Sequence, residues 1–337
     1  MLGIAAGCSE LHYYAQAAKG QASLLLAARP IDDWLQDPSL DGKVRTRLQQ
    51  ARKIREFAVA ELALPQNGSY QSYVDIGRAY VLWNVVATDE FSFTPRAWCF
   101  PVAGCVTYRG YYAKDAAQGF ANELRGQGAD VQVSGVPAYS TLGWFNDPLI
   151  SSFIYYPESE LARLMFHELS HQILYVAGDT RFNESFASTV EEAGLQRWLA
   201  ARGDARLVEA YAAAKTRRKE FLALLLSTRQ KLEANYASTA SDEAKREEKA
   251  RLFLALQAEY QGLKQQWGGY AGYDRWFEQP LSNAHWVALA NYEEFVPGFR
   301  ALLAQQRDFP AFYAAARALG QLPAPEREQE LRRLGRE

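Results

Sequence analysis

Residues His167–Glu192 read HELSHQILYVAGDTRFNESFASTVEE. His167 and His171 are four positions apart, so on an α-helix they lie one turn apart on a single face. Two neutral imidazoles in that relation can grip one zinc ion. Glu168, between them, is aimed beside the metal, where it can take a proton from water. The chain has only 4 histidines, and chance seldom places two of them around a glutamate on an amphipathic helix. A catalytic zinc site also needs a third protein ligand and one open position. Glu184 is the expected third ligand. It follows His171 by 13 positions, and a helix that turns near Gly178-Asp179-Thr180 and returns antiparallel brings it level with the histidines. Glu191 lies seven positions after Glu184 and shares its helix face. It is expected to accept a hydrogen bond from a ligand histidine, although Glu191 and Glu192 are also rival ligands.

Working outward, the chain after Pro157 reads as helical. Two long helices within 206–267 surround the polar stretch NYASTASDEAKREEK. Phe221, Leu225, Thr228 and Leu232 on the first, and Phe253, Leu256, Tyr260, Leu263 and Trp267 on the second, form the seam of an antiparallel hairpin. Before the motif, AYVLWNVVA, CVTYRGYY and ADVQVSGV are rich in Val, Tyr and Trp and read as strands, with a helix over YAKDAAQGFANELRGQG. A further helix from Ser39 as N-cap stops near Pro65. The expected fold is therefore mainly α with a small β region, an α+β chain, and its HExxH helix with an adjacent glutamate helix resembles that of zincin-like metallopeptidases. Its parts are an N-terminal remnant (1–12), helices with a small sheet (13–156), a helical catalytic part (157–325) and a charged tail (326–337) that frays.

Composition narrows the class. The 337 residues are 48% hydrophobic and 23% charged, enough to bury a large core. A net charge of −2 gives no reason to expect nucleic acid as a partner. The start, MLGIAAGC, reads as the end of a lipoprotein signal with Cys8 as the lipidated residue. The expected location is then the periplasm, with membrane contact only through that anchor. Cys99 and Cys105, in CFPVAGC, are left as a pair that a turn can bring together in an oxidising compartment, or as two buried thiols.

NESFASTVE resembles the NEGFAxxxE element that carries the third zinc ligand in the large zinc aminopeptidases of the gluzincin clan. The interval of 12 residues between His171 and Glu184 is shorter than theirs. Together with WCFPVAGCVTYRGYY, GWFNDPL and LSNAHWVALANYEEFVPGF, the run resembles a bacterial family catalogued as predicted aminopeptidases, often with lipoprotein signals. The likeness covers the chain from Cys8 to about Phe312. It implies a zinc-dependent peptidase acting on peptide substrates, with His167, His171 and Glu184 as metal ligands and Glu168 as the base. The GAMEN-type loop that binds the substrate amino terminus in the large aminopeptidases has no counterpart here. A tyrosine or histidine from the C-terminal part is expected to stabilise the oxyanion. Tyr292 is favoured, with His285, Tyr270 and Tyr273 as rivals and Asn283 beside them. Asp147, Glu191 and Glu192 are candidates to hold a substrate ammonium, and the aromatic stretch YSTLGWFNDPL is a candidate cleft wall. Two other functions fit the same residues: a non-catalytic metal-binding envelope lipoprotein, and a zinc hydrolase of non-peptide or cell-wall amide bonds.

Overall fold

A computed structural model describes residues 3–100, 104–287 and 294–336, with side chains from residue 13 onward. The chain is mainly helical with small sheets, an α+β fold. Eleven helices are used below: α1 (Gly3–Ala27), α2 (Ile31–Gln36), α3 (Gly42–Leu62), α4 (Lys114–Gly126), α5 (Glu158–Ser170), α6 (Thr180–Arg202), α7 (Ala205–Ala237), α8 (Asp242–Gln266), α9 (Val296–Ala304), α10 (Phe309–Gly320) and α11 (Ala324–Leu334). The strands are β1 (Arg29–Pro30), β2 (Ser72–Val74), β3 (Leu82–Asp89), β4 (Trp98–Phe100), β5 (Gly104–Val106), β6 (Arg109–Tyr111), β7 (Ala129–Val136) and β8 (Leu149–Ile150).

The core is built around the α5–α6 pair. Leu161, Met165, Phe166 and Leu169 of α5 and Phe182, Phe186 and Val190 of α6 are fully buried. They repeat at helical spacing, so each helix turns one apolar stripe inward. Phe182 meets Phe299 of α9 edge-on at 5.0 Å, and Phe186 stacks on Phe312 of α10 at 5.6 Å. On the other side α3 contributes Phe57, which packs against Phe166 and Trp198. Such aromatic pairs add modestly to the area they bury.

Three small sheets surround this core. In one, β3 lies between β6 and β7, antiparallel to both. Val85, Ala87, Val131 and Val133 face Ala117, Ala121 and Leu124 of α4, following the strand alternation of inward and outward positions. In the second, β2 pairs with β1 and runs parallel to β8. β8 hands the chain to α5 and so sets where the metal-binding motif begins. The third is the β4–β5 hairpin, closed by a Cys99–Cys105 disulfide. Of the two fates open to these cysteines, the structure has the bonded one.

The long hairpin is α7 against α8, with Phe221, Leu225, Thr228, Leu232, Leu256 and Tyr260 buried in its seam. Its break is shorter than the polar stretch suggests. Only Ser238–Ser241 separates the helices, with Ser241 accepting from the Ala244 amide as N-cap. Phe253, Leu263 and Trp267 are half-buried against the same cluster, and Phe253 stacks on Trp286 at 5.8 Å. Among the described residues, no helix is long and apolar enough to cross a membrane.

Two local expectations change. Asp41, not Ser39, caps α3, accepting from the Lys43 and Val44 amides. The Ser39 hydroxyl instead donates to the Asp37 carboxylate at 2.6 Å. The charged tail does not fray either. It forms α11, which buries Leu331 and Leu334. Its Arg327 donates from both Nε (3.0 Å) and a terminal nitrogen (2.6 Å) to Asp179 Oδ2. Asp179 is the N-cap of α6, so the end of the chain braces the turn between α5 and α6. Both side chains of this pair are nearly enclosed. Arg327→Ala is therefore expected to cost about 3–5 kcal/mol, the penalty for leaving a buried charge unpaired. Urea unfolding of the two proteins measures it.

Candidate metal centre

α5 starts after Pro157, with Glu158 and Glu160 in its first turn near the positive end of the helix dipole. It ends at Ser170, and His171 occupies its C-cap with helical backbone angles. Both histidines therefore keep helical spacing. Their rings lie 4.9 Å apart and nearly perpendicular. The turn that follows is held by Asn183, which accepts from the Val176 amide and donates to the Val176 carbonyl, both at 2.8 Å. Gly178 takes φ of +81°, where a glycine avoids steric cost. The disulfide hairpin presses on this turn: a Cβ on Gly104 would stand 2.7 Å from the Gly178 nitrogen, so that approach requires a glycine as well.

The turn returns Glu184 to the histidines. Its Oε2 is 3.2 Å from His167 Nε2, and its Oε1 is 3.8 Å from His171 Nε2. One ligand atom from each of the three residues lies within 4.8 Å of the others. A tetrahedral zinc with bonds of about 2.0–2.1 Å separates its ligands by roughly 3.3 Å, so these residues fit the ion with small adjustments. All three are largely enclosed, and one ring nitrogen of each histidine is directed at the shared carboxylate.

Electrostatics agree with a cation site. Burial holds the His171 imidazole down to about 4, so it is neutral with a lone pair to donate. Burial also works against a charged His167, but hydrogen bonds to Glu184 and Glu191, and their charges, push it up to about 10. A dication at the same place substitutes for that proton. Burial raises the Glu168 carboxyl to about 7, helped by the charges of Glu184, Asp147 and Glu191 and opposed by His167.

Of the remaining acidic candidates, Glu191 reaches the site and Glu192 does not. Glu191 Oε2 is 2.8 Å from His167 Nδ1, the outer partner a ligand histidine needs. Glu192 turns outward to Arg300, whose Nε donates to it at 2.8 Å. Asp147 is buried, accepts from the Thr141 amide at 2.9 Å and acts on Glu168 through its charge. The loop that carries Trp144 and Phe145 leaves both exposed. Its Gly143 lies against Gln172, the neighbour of His171, with 3.8 Å from an added Cβ to the Gln172 Cβ.

A family model described as "Putative aminopeptidase" matches residues 12–331. The chain belongs to this family. Its description is that of a peptidase, with a peptide substrate. Searches of curated proteins and of solved structures return no match.

The C-terminal oxyanion candidates fare differently. Tyr292 lies outside the described residues. Tyr273 stacks on Phe221 at 4.2 Å, and Tyr270 lies under Arg217. His285 caps its own turn through Ser282 and packs on Trp276. Asn283 donates to the Glu90 and Ser92 carbonyls. Through these contacts all four hold the α7–α8 hairpin and its neighbouring turns. Three tyrosines that sequence reasoning passed over, Tyr70, Tyr108 and Tyr175, feel the charge of Glu184 or Glu168. Tyr108, between β5 and β6, is 40% exposed, yet its phenol is raised by burial and by the charges of Glu184, Tyr175 and Glu168. Tyr70 is buried with φ of +62°, and its phenol is raised by burial and by Glu168 and Asp147. With 19 tyrosines in the chain, only tertiary contact singles these out.

Proposed function

We propose that the protein is a zinc-dependent peptidase, acting as an aminopeptidase with water as the nucleophile. One observation carries the reading: His167, His171 and Glu184 converge, and Glu168, half-buried, follows His167 on the same helix. The two Nε2 atoms and a Glu184 oxygen would hold the ion. Bound there, zinc supplies a Lewis acid that brings the pKa of water towards about 7. Glu168 takes the proton of the attacking water and returns it to the leaving amine as the C–N bond breaks. Glu191 holds the His167 ring. Tyr108, within the charge field of Glu184 and Glu168, donates to the substrate carbonyl oxygen as it gains charge. The family description favours a free peptide N-terminus as the end attacked.

We also propose export to the periplasm, with a lipid anchor on Cys8 as the membrane attachment. The Cys99–Cys105 disulfide favours this, because such bonds persist in oxidising compartments.

A mixed peptide digest incubated with the zinc-supplemented protein and followed by mass spectrometry tests the activity. The expected result is stepwise loss of single N-terminal residues, with N-acetylated peptides resistant. Internal cuts would reassign the protein as an endopeptidase. A zinc-loaded protein that leaves every peptide intact would contradict the peptidase reading.

A further inference from the structure

Behind the metal ligands, α5 carries a second pattern. Glu160, Arg163, His167 and His171 succeed one another at steps of three, four and four, so they stack along one helix face. Glu191 stands opposite on α6. Arg163 donates from a terminal nitrogen to Glu191 Oε1 at 2.6 Å and from Nε to Glu160 Oε2 at 3.0 Å. The other Glu191 oxygen meets His167 Nδ1 at 2.8 Å. Glu191 is 6% exposed, so water contributes little to holding it.

For His167 to offer the Nε2 lone pair, its proton must sit on Nδ1 with an acceptor in the ring plane. Glu191 is that acceptor, but a carboxylate with one partner can still swing about its last torsion. The Arg163 contact removes that freedom. The guanidinium is itself fixed, because it is planar and engages Glu160 through a second nitrogen. His171 has no comparable support: its Nδ1 is buried with no hydrogen-bond partner among the described residues. Among the described residues, a relay from Glu160 to Arg163 to Glu191 reaches the outer nitrogen of His167.

We infer that Arg163 is a positioning residue for the metal centre, acting through Glu191 to fix the His167 ring. The inference rests on the zinc reading above and adds to it a residue that touches neither metal nor substrate. A residue that merely joined α5 to α6 would lower folding stability without changing the zinc affinity of the folded protein.

The test measures zinc dissociation constants by competition with a chromophoric chelator. It compares the parent, Arg163→Ala, Arg163→Lys, Glu191→Gln and the Arg163→Ala/Glu191→Gln double variant. Metal-free melting temperatures are recorded beside them. Arg163→Ala is expected to weaken zinc binding about 10–100-fold, the usual cost of losing an outer partner. The double variant is expected to be no weaker than Glu191→Gln alone, since contacts in one network do not add. Lysine retains the charge without the fork, so Arg163→Lys is expected to weaken binding by a smaller factor, and it carries the test if the alanine variant does not fold. Parent-like affinity in a folded Arg163 variant would overturn the inference. So would losses from Arg163→Ala and Glu191→Gln that multiply in the double variant. A parent chain that binds no zinc would instead overturn the zinc reading itself.

Discussion

Glu168→Gln is expected to keep zinc and to lose turnover by about 10²–10⁴, the usual contribution of a positioned general base. The amide has the shape of the carboxylate but cannot accept the proton of the attacking water. The fold should tolerate it, because burial already raises the Glu168 carboxyl to about 7 and a neutral amide carries no charge to desolvate. The pH profile gives a second readout. The base works as the carboxylate, so activity is present above its pKa and is lost as pH falls through it. A dication alongside favours the charged form, which sets the acid limb of the parent below about pH 7. The glutamine variant should show little activity and no such limb. Hydrolysis at the parent rate would mean that another group takes the proton.

Glu184→Ala is expected to abolish stable zinc binding, a loss larger than the about 10–100-fold that an outer partner costs. Among the described residues, Glu184 is the one carboxylate that faces both imidazoles, at 3.2 Å and 3.8 Å. Without it two neutral rings remain, and the site loses the anion that balances the ion. The carboxyl is held below its usual range, against its burial, chiefly by the hydrogen bond and the charge of His167. Elemental analysis of the gently purified variant beside the parent measures the outcome. A variant that retained one zinc per chain would move the third ligand elsewhere, with Glu191 as the first alternative.

The α5–α6 pair was legible because two signals coincide there. The HExxH spacing requires a helix, and the apolar period of Met165 and Leu169 supplies one. Gly178 then marks the turn that makes Glu184 reachable. The α7–α8 seam was legible for the same reason, a sustained helical period. What failed to show depends on partners far along the chain. The tail reads as solvated charge until Arg327 meets Asp179, 148 positions away. Ser39 and Asp41 are both good caps, and only the Ser39 contact with Asp37 decides between them. Tyr70 and Tyr108 gain meaning from the charges that tertiary packing sets beside them. Arg163 was within reach of sequence reasoning, since it precedes His167 by one helical turn, but an arginine on a helix surface is ordinary until its buried carboxylate partner is known.

The central claim is that two imidazoles and one carboxylate form the protein's share of a zinc site. X-ray absorption at the zinc edge of the purified, zinc-loaded chain tests it most directly. The account predicts one zinc per chain, two imidazole nitrogens and otherwise oxygen in the first shell, with one imidazole lost in His167→Ala. A shell containing sulfur, or one unchanged when His167 is removed, would contradict it.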